Sequence, residues 1–185
     1  MPTPATQFNL ANRQRAARKL LITVAEWKVG TGYEREILGT RTEDSSIEYN
    51  ADIETTTDIR GINYTDVNRT QPQQTFDPYL VLGDSKLGFK LNDIRRRNAT
   101  TELNDFTVYV ITAYIGTAGQ YEAERHDGCT IAYTAIGGDA NVNMPIDVYL
   151  SNDSYDGNGK STGAPAVGYV DKLTEDFTFN AFTVG

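Results

Sequence analysis

Residues 45–60 alternate between apolar and polar side chains over an unusually long stretch. Side chains on a strand point alternately to opposite faces, so the pattern predicts an extended strand, or two collinear strands, with one apolar and one acidic face. The apolar face begins at Ile47 and includes Ile53, and the acidic face comprises Glu48, Asp52, Glu54 and Asp58. About fifteen residues at ~3.3 Å each would extend roughly 50 Å, against ~17–20 Å for an ordinary strand. We therefore expect this strand to be longer than the core of a single domain of this size.

The alternation reverses its parity after residue 60, because Ile62 and Tyr64 place apolar side chains on even positions. Arg60 and Gly61 are therefore the predicted bulge or bend, since glycine tolerates a positive φ. The stretch predicts a long hairpin over about residues 42–70. The polar residues 66–77 that follow are typical of a long loop.

Other β-rich runs predict a mainly β fold, an antiparallel β-sandwich or split barrel. The run at 107–115 is β-branched and aromatic throughout, which favours a central strand. At 142–150 the even positions are all apolar, and Pro145 predicts a strand at a sheet edge. Further predicted strands lie at 20–29, 129–136, 166–171 and 176–184.

One helix is predicted at 84–97, flanking the sheet. Asp84 or Ser85 can cap it, and Leu87, Leu91 and Ile94 recur at helical spacing. Residues 1–20 are basic and form either an N-terminal arm, which we favour, or a helix over 11–21. The remainder, 21–185, is predicted to be a single β domain.

The net charge of −8 is unevenly distributed, and basic stretches contrast with an acidic C-terminal half. Such an acidic chain is poorly suited to bind nucleic acid, because phosphate binding needs clustered Lys and Arg residues. Basic patches beside acidic ones instead permit head-to-tail contacts between identical subunits. The basic candidates for such contacts are Arg13, Arg15, Arg18, Arg95, Arg96 and Arg97. The sequence has no signal peptide pattern and no apolar run of ~18 residues, so we expect cytoplasmic synthesis and no membrane association.

Residues that could carry chemistry are sparse. His126 and Cys129 lie close in sequence, but Asp127-Gly128 between them predicts a hairpin turn and Cys129 a buried strand position. Residues 152–157 resemble half of a calcium loop, yet Gly163 stands where the closing Glu is needed. We expect no catalytic residue, no metal and no cofactor. A carbohydrate- or protein-binding β-sandwich module and a hydrolase with paired carboxylates remain alternatives.

Residues 47–61 (IEYNADIETTTDIRG), residues 65–78 (TDVNRTQPQQTFDP) and the basic helix after them resemble the hairpin region of bacteriophage major tail, or tail tube, proteins. The resemblance is strongest over 45–98. It implies a small β-sandwich or split barrel that forms rings, typically hexameric. It also implies that the rings stack into a tube whose inner β-barrel is built from the hairpins of several subunits.

This resemblance gives the charged residues specific roles. It implies that Glu48, Asp52, Glu54 and Asp58 face an acidic lumen through which DNA passes without specific binding. The arginines named above would contact the next ring, and Gly61 would form the bend. It further implies a virion tail protein assembled in the host cytoplasm, with copies of itself, tape-measure, tail-terminator and baseplate proteins as partners.

Overall fold

Runs rich in β-branched and aromatic residues form most of the regular structure in the computed structural model. The structure describes residues 8–40, 42, 45–49, 52–68 and 71–182, and at 52 and 66–68 it describes only the backbone. The strands are β1 (Leu21–Val29), β2 (Gly32–Ile37), β3 (Ile47–Glu48), β4 (Asp52–Thr57), β5 (Asn63–Asn68), β6 (Gln73–Phe76), β7 (Phe106–Thr117), β8 (Gln120–Tyr133), β9 (Ile146–Tyr149), β10 (Ala166–Val170) and β11 (Phe179–Ala181). Helix α1 (Lys86–Arg97) and two short 3-10 helices (Arg18–Leu20 and Thr100–Asn104) complete the described elements.

Nine of these strands form one antiparallel sheet in the order β2-β1-β7-β8-β9-β6-β3, with β10 and β11 joined to β8. The sheet folds into two layers because β8 is shared: its first half pairs with β10 and its second half with β9. The change occurs at Gly128, where a φ of +72° coincides with a register shift against β7. The predicted mainly β fold is thus confirmed as a sandwich-like arrangement, and the strands of the described chain do not close into a barrel.

The main core fills the space between the two layers and helix α1. Ala25 and Trp27 of β1 face Ile131 and Val148 from the opposite layer, and all four are buried. The Thr23 hydroxyl also crosses this space, donating a hydrogen bond to Oε1 of Gln74 at 2.8 Å. A second, smaller core lies on the other face of β1, β7 and β8 and is covered by the chain segment that contains Phe177.

Helix α1 matches its prediction to within two residues. Ser85 is the N-cap, its hydroxyl accepting a hydrogen bond from the Gly88 amide, and the left-handed residue Asn98 ends the helix. Three apolar side chains are completely buried: Leu87, Leu91 and Ile94. Phe89 lies on the opposite face and is 76% exposed.

Two predictions were wrong, the hairpin turn at Gly128 and the sheet edge at Pro145. Gly128 does not form a hairpin turn but a bulge inside β8. Pro145 does not mark a sheet edge, because β9 is central, with β8 on one side and β6 on the other. The proline precedes the first paired residue, Ile146, so its missing amide costs the ladder no hydrogen bond.

Further differences concern elements with weak local patterns. The predicted loop 66–77 contains the end of β5 and all of β6, whose partner β9 comes from far along the chain. Strand β2 was not predicted, since GYEREI is largely polar. The alternative helix over 11–21 was wrong, because the helical part of that region is a single 3-10 turn, Arg18–Leu20.

We predict that Leu91→Ala lowers the free energy of unfolding by about 2–5 kcal/mol, because it leaves a cavity beneath α1. Phe89→Ala on the exposed face of the same helix is the matched control and should change it by less than about 0.5 kcal/mol. Urea denaturation followed by circular dichroism measures both. Equal losses for the two variants would contradict the packing of α1.

Candidate functional site

A two-stranded hairpin formed by β4 and β5 stands apart from the main sheet. The strands are antiparallel and in continuous register, from Asp52 opposite Asn68 to Thr57 opposite Asn63. Neither strand pairs with any of the other nine described strands. The side-chain hydrogen bonds that the structure shows for residues 53–65 all lie within the hairpin. Both outer backbone edges of the hairpin are therefore unpaired within the described part of the chain.

The tip of the hairpin is a tight turn organised by Asp58. Its carboxylate Oδ1 accepts hydrogen bonds from the backbone amides of Arg60 at 2.8 Å and Ile62 at 2.9 Å. The Gly61 amide donates to the Asp58 carbonyl, and Gly61 has a φ of +77°. The predicted bend at Gly61 is confirmed, since a left-handed residue is needed to close this turn.

The Asp58 carboxylate therefore forms its hydrogen bonds within its own turn. The backbone hydrogen bond from Ile62, with those from Arg60, holds the pKa of the Asp58 carboxyl below its ordinary value. Arg60 adds an exposed ion pair at 3.3 Å. The ionised carboxylate stabilises the turn because only that form accepts all of these hydrogen bonds.

The expectation of one continuous strand through 45–60 was wrong, and the stretch contains two strands instead. Ile47–Glu48 forms β3, which pairs with β6 at the edge of the main sheet. Asp52–Thr57 forms β4, which pairs with β5 in a separate sheet. Strand pairing with β6 therefore ends before the hairpin begins. The alternation of faces within β4 is as predicted.

The apolar side chains of the hairpin are not covered by the described part of their own chain. Ile53 is 62% exposed and Ile59 is fully exposed at the tip. Ile62 and Tyr64 are about half exposed, and Tyr49 before the hairpin is also exposed. Tyr64 lies opposite Thr56 in the register, so it shares the face of Glu54 and not that of Ile53. Exposed apolar side chains grouped in this way are typical of a surface that contacts another molecule.

The backbone register of the hairpin brings acidic positions together. Glu54 of β4 is paired with Asp66 of β5, and Asp52 is two residues before Glu54 on the same strand. Like charges in opposite positions destabilise an isolated hairpin. Glu48 is exposed at the end of β3, so it lies at the base of the hairpin rather than on it. The four acids predicted to share one strand face are thus divided: Glu48 ends β3, Asp52 and Glu54 belong to β4, and Asp58 forms the turn.

The six predicted contact arginines do not form one patch. One group comes just before the start of β1 and comprises Arg13, Arg15 and Arg18. The other group, on α1, comes before Phe106, and Phe106 pairs with Trp27 near the end of β1. Arg13, Arg15, Arg95 and Arg96 are exposed. Arg18 instead donates to the carbonyls of Ser45 and Leu21.

Arg97 is neutralised within its own chain. It forms ion pairs with Asp93 and Glu102, each at 2.8 Å. The Arg97 guanidinium, with help from Lys90, lowers the pKa of Glu102 to about 2. Because its charge is already paired, Arg97 is a weaker candidate for intersubunit contact than Arg95 or Arg96.

The geometry around Cys129 and His126 does not assemble a nucleophile and base. Burial raises the pKa of the Cys129 thiol to about 11, and the thiol donates to the backbone carbonyl of His126 rather than to its ring. The ring Nδ1 faces the Ser151 carbonyl at 2.6 Å, and Nε2 lies 3.5 Å from Glu124. Thiolate formation is therefore disfavoured at neutral pH.

The region resembling half of a calcium loop is held by its own carboxylates. Asp156 accepts from the amides of Asn158 and Lys160, and Asp153 accepts from those of Thr162 and Gly163. Within the described ranges, no three His, Cys, Asp or Glu side chains are grouped as metal ligands. None of the helices found there is long and apolar enough to cross a membrane.

No family model matches the chain, and comparisons with curated proteins and with solved structures gave no significant match either. The resemblance to tail tube proteins therefore rests on the residues named above. The structure adds one feature that sequence periodicity missed, the exposure of the apolar hairpin face. Alternation reveals two faces, but it carries no signal for whether either face is covered.

We predict that Asp58→Ala loosens the hairpin tip, because four hydrogen bonds lose their acceptor, two of them from the backbone amides of Arg60 and Ile62. Hydrogen exchange of the Arg60 and Ile62 amides should accelerate, while exchange in β7 should not change. Glu54→Ala, on the same hairpin but outside the turn, is the matched control. Unchanged exchange in the Asp58 variant would contradict its role.

The same carboxylate gives the turn a defined pH dependence. Its folded pKa is lowered, so its stabilisation is fully present above the ordinary Asp pKa of ~3.9 and is lost as the pH falls through the folded value. In wild-type protein the tip amides should therefore exchange faster, after correction for intrinsic rates, below about pH 4.

Proposed function

We propose that this protein is the structural subunit of a phage or phage-like tail tube, which self-assembles into stacked rings around a DNA-conducting channel. The observation that carries the proposal is the free-standing hairpin. Ile53 on its apolar face is exposed, and neither of its edges pairs with another strand of the described residues. An isolated two-stranded hairpin is marginally stable in water, so this one needs a partner surface. Other copies of the same chain would provide such a partner surface, repeated around a ring.

Association of hairpins from several copies satisfies the backbone as well as the side chains. Each open edge of β4 or β5 can pair with the hairpin of a neighbour, and a closed ring of such pairs leaves no free edge. Ile53 and its neighbours on the same face would then pack against the body of an adjacent subunit. Burial of this face contributes roughly 25 cal/mol for each Å² of apolar surface removed from water.

The acidic face explains how such a tube conducts DNA without binding it. If the apolar face packs on protein, the face with Glu54 is left toward the central channel. Repulsion between these carboxylates and phosphates keeps DNA mobile in the channel. Crowding of like charges would be tolerated there because water fills the lumen and screens them.

Contacts between successive rings draw on the unpaired arginines. Arg15 and Arg96 are exposed and lie near opposite ends of β1, so each can meet an acidic surface of a different neighbour. In a complete tail, the tube would also meet a tape-measure protein inside it and terminator or baseplate proteins at its ends.

We predict that the purified protein forms rings or tubes at high concentration, seen by negative-stain electron microscopy and sedimentation. Replacing residues 52–68 with a short Gly-Ser linker should abolish assembly and leave a folded monomer with the near-ultraviolet spectrum of the sandwich core. The same linker in place of residues 157–159, in another surface loop, is the control. Wild-type protein that stays monomeric would overturn the proposal.

We predict that reversing the hairpin charge makes assembled tubes retain DNA. Tubes of the double variant Glu48→Lys and Glu54→Lys should hold short DNA that resists nuclease and is released as salt rises. Asp105→Lys with Asp139→Lys, elsewhere on the surface, should give binding that nuclease removes. Nuclease-sensitive binding in both double variants would place the hairpin acids outside the lumen.

A further inference from the structure

We infer that Arg18 is a positioning residue for assembly, because it holds the base of the hairpin in place through Ser45. The inference rests on the proposed function, in which the hairpin joins copies of the chain. It gives Arg18 a role within its own chain, whereas the sequence predicted a contact with the next ring. Arg18 lies just before β1, and Ser45 lies just before β3, which precedes the first strand of the hairpin.

All three nitrogen atoms of the Arg18 guanidinium donate to backbone carbonyls. Nε and Nη2 both donate to the Ser45 carbonyl, with Nε at 3.2 Å, and Nη1 donates to the Leu21 carbonyl at 2.6 Å. The donors of a planar guanidinium form a rigid fork, so one side chain can hold two acceptors at a fixed separation. Arg18 and these two carbonyls, which we call the Arg18 clamp, therefore set the distance between Leu21 and Ser45.

The Arg18 clamp connects the two layers of the sandwich. Leu21 is the first residue of β1 and pairs with Thr112, so it belongs to the layer of β1 and β7. Ser45 is bound to the other layer, because its hydroxyl donates to the Thr75 carbonyl of β6 at 2.7 Å. Ser45 is buried between these partners, with 7% of its surface exposed. The clamp thus crosses between the layers at the point where the chain enters β3.

Strand β3 has little pairing of its own to keep it in place. It pairs with β6 over two residues only, Ile47 and Glu48. It ends the strand order of the large sheet, so no strand of the described residues pairs with its other edge. Short ladders at a sheet edge open locally at a low cost in free energy. The hydrogen bonds of Ser45 therefore add the contacts that hold the start of this strand.

The position of β3 matters because the hairpin depends on the strands at its two ends. The side-chain hydrogen bonds of residues 53–65 all lie within the hairpin, so they do not fix its orientation on the sandwich. A closed ring requires each copy to present its hairpin at the same angle. A hairpin that is already held at this angle loses less conformational entropy when copies associate. The Arg18 clamp supplies part of this preorganisation.

A charge contact with the next ring is the alternative role for Arg18, and lysine distinguishes the two roles. Arg18→Lys keeps the positive charge but replaces the planar fork with a flexible ammonium group, which does not hold both carbonyls in the same geometry. Lys19→Ala is the matched control, because Lys19 is an exposed cation in the same 3-10 turn. We expect both Arg18 variants to loosen the hairpin base and the Lys19 variant to leave it unchanged.

Distance measurements between two spin labels test the positioning of the hairpin. The labels are attached through Ile59→Cys at the hairpin tip and Asn158→Cys in a loop of the sandwich, which are both exposed. The native Cys129 is fully buried and stays unlabelled. In monomeric protein the distance distribution should be broader in both Arg18 variants than in Lys19→Ala or in protein with the labels alone. Equal widths in all four proteins would overturn the positioning role.

Hydrogen exchange and assembly complete the test. Exchange of the β3 amides should accelerate about three- to tenfold in Arg18→Ala, because exposed hydrogen bonds of modest strength are lost. Exchange in β7 should not change, which separates this local effect from a general loss of stability. Both Arg18 variants should give fewer tubes than Lys19→Ala in electron micrographs.

Two outcomes separate this inference from the proposed function. Normal tubes from Arg18→Lys and none from Arg18→Ala would identify a charge contact, and would overturn the positioning role while the proposed function stands. Wild-type protein that forms no tubes, although the Arg18 variants broaden the distance distribution, would overturn the proposed function and leave the Arg18 clamp as the support of the hairpin base.

Discussion

The hairpin of β4 and β5 presents a physical requirement that one chain does not meet. Within the described residues, Ile53 on its apolar face is exposed, its two backbone edges are unpaired, and its register sets Glu54 opposite Asp66. Each of these features costs free energy in an isolated molecule. All three are relieved together when copies associate with apolar faces on protein, edges paired and carboxylates in water. The proposed tube follows from this one requirement.

The sandwich provides a rigid base for that hairpin. Strands β3 and β6 hold its two ends side by side, and the buried contact between Thr23 and Gln74 ties β6 to the opposite layer. Helix α1 closes the core with three fully buried side chains.

Sequence periodicity succeeded where structure is decided locally and failed where distant residues decide it. The helix and its Ser85 cap, the alternating faces of β4 and the bend at Gly61 were all predicted, since each depends on residues within one or two turns of chain. Strand β6 was missed because its strand character comes from pairing with β9, some seventy positions later. Pro145 and Gly128 were misread because their neighbours in space were unknown.

The sequence by itself determined a mainly β protein with one amphipathic helix and a two-faced, acidic hairpin, because side-chain alternation and capping are properties of short segments. Only the tertiary structure decided that the hairpin stands free of the sheet, that its apolar face is uncovered and that Arg18 binds the Ser45 carbonyl. These facts depend on which distant strands occupy each edge and which surfaces remain without a neighbour. No local pattern encodes them, since burial is a property of the whole folded chain.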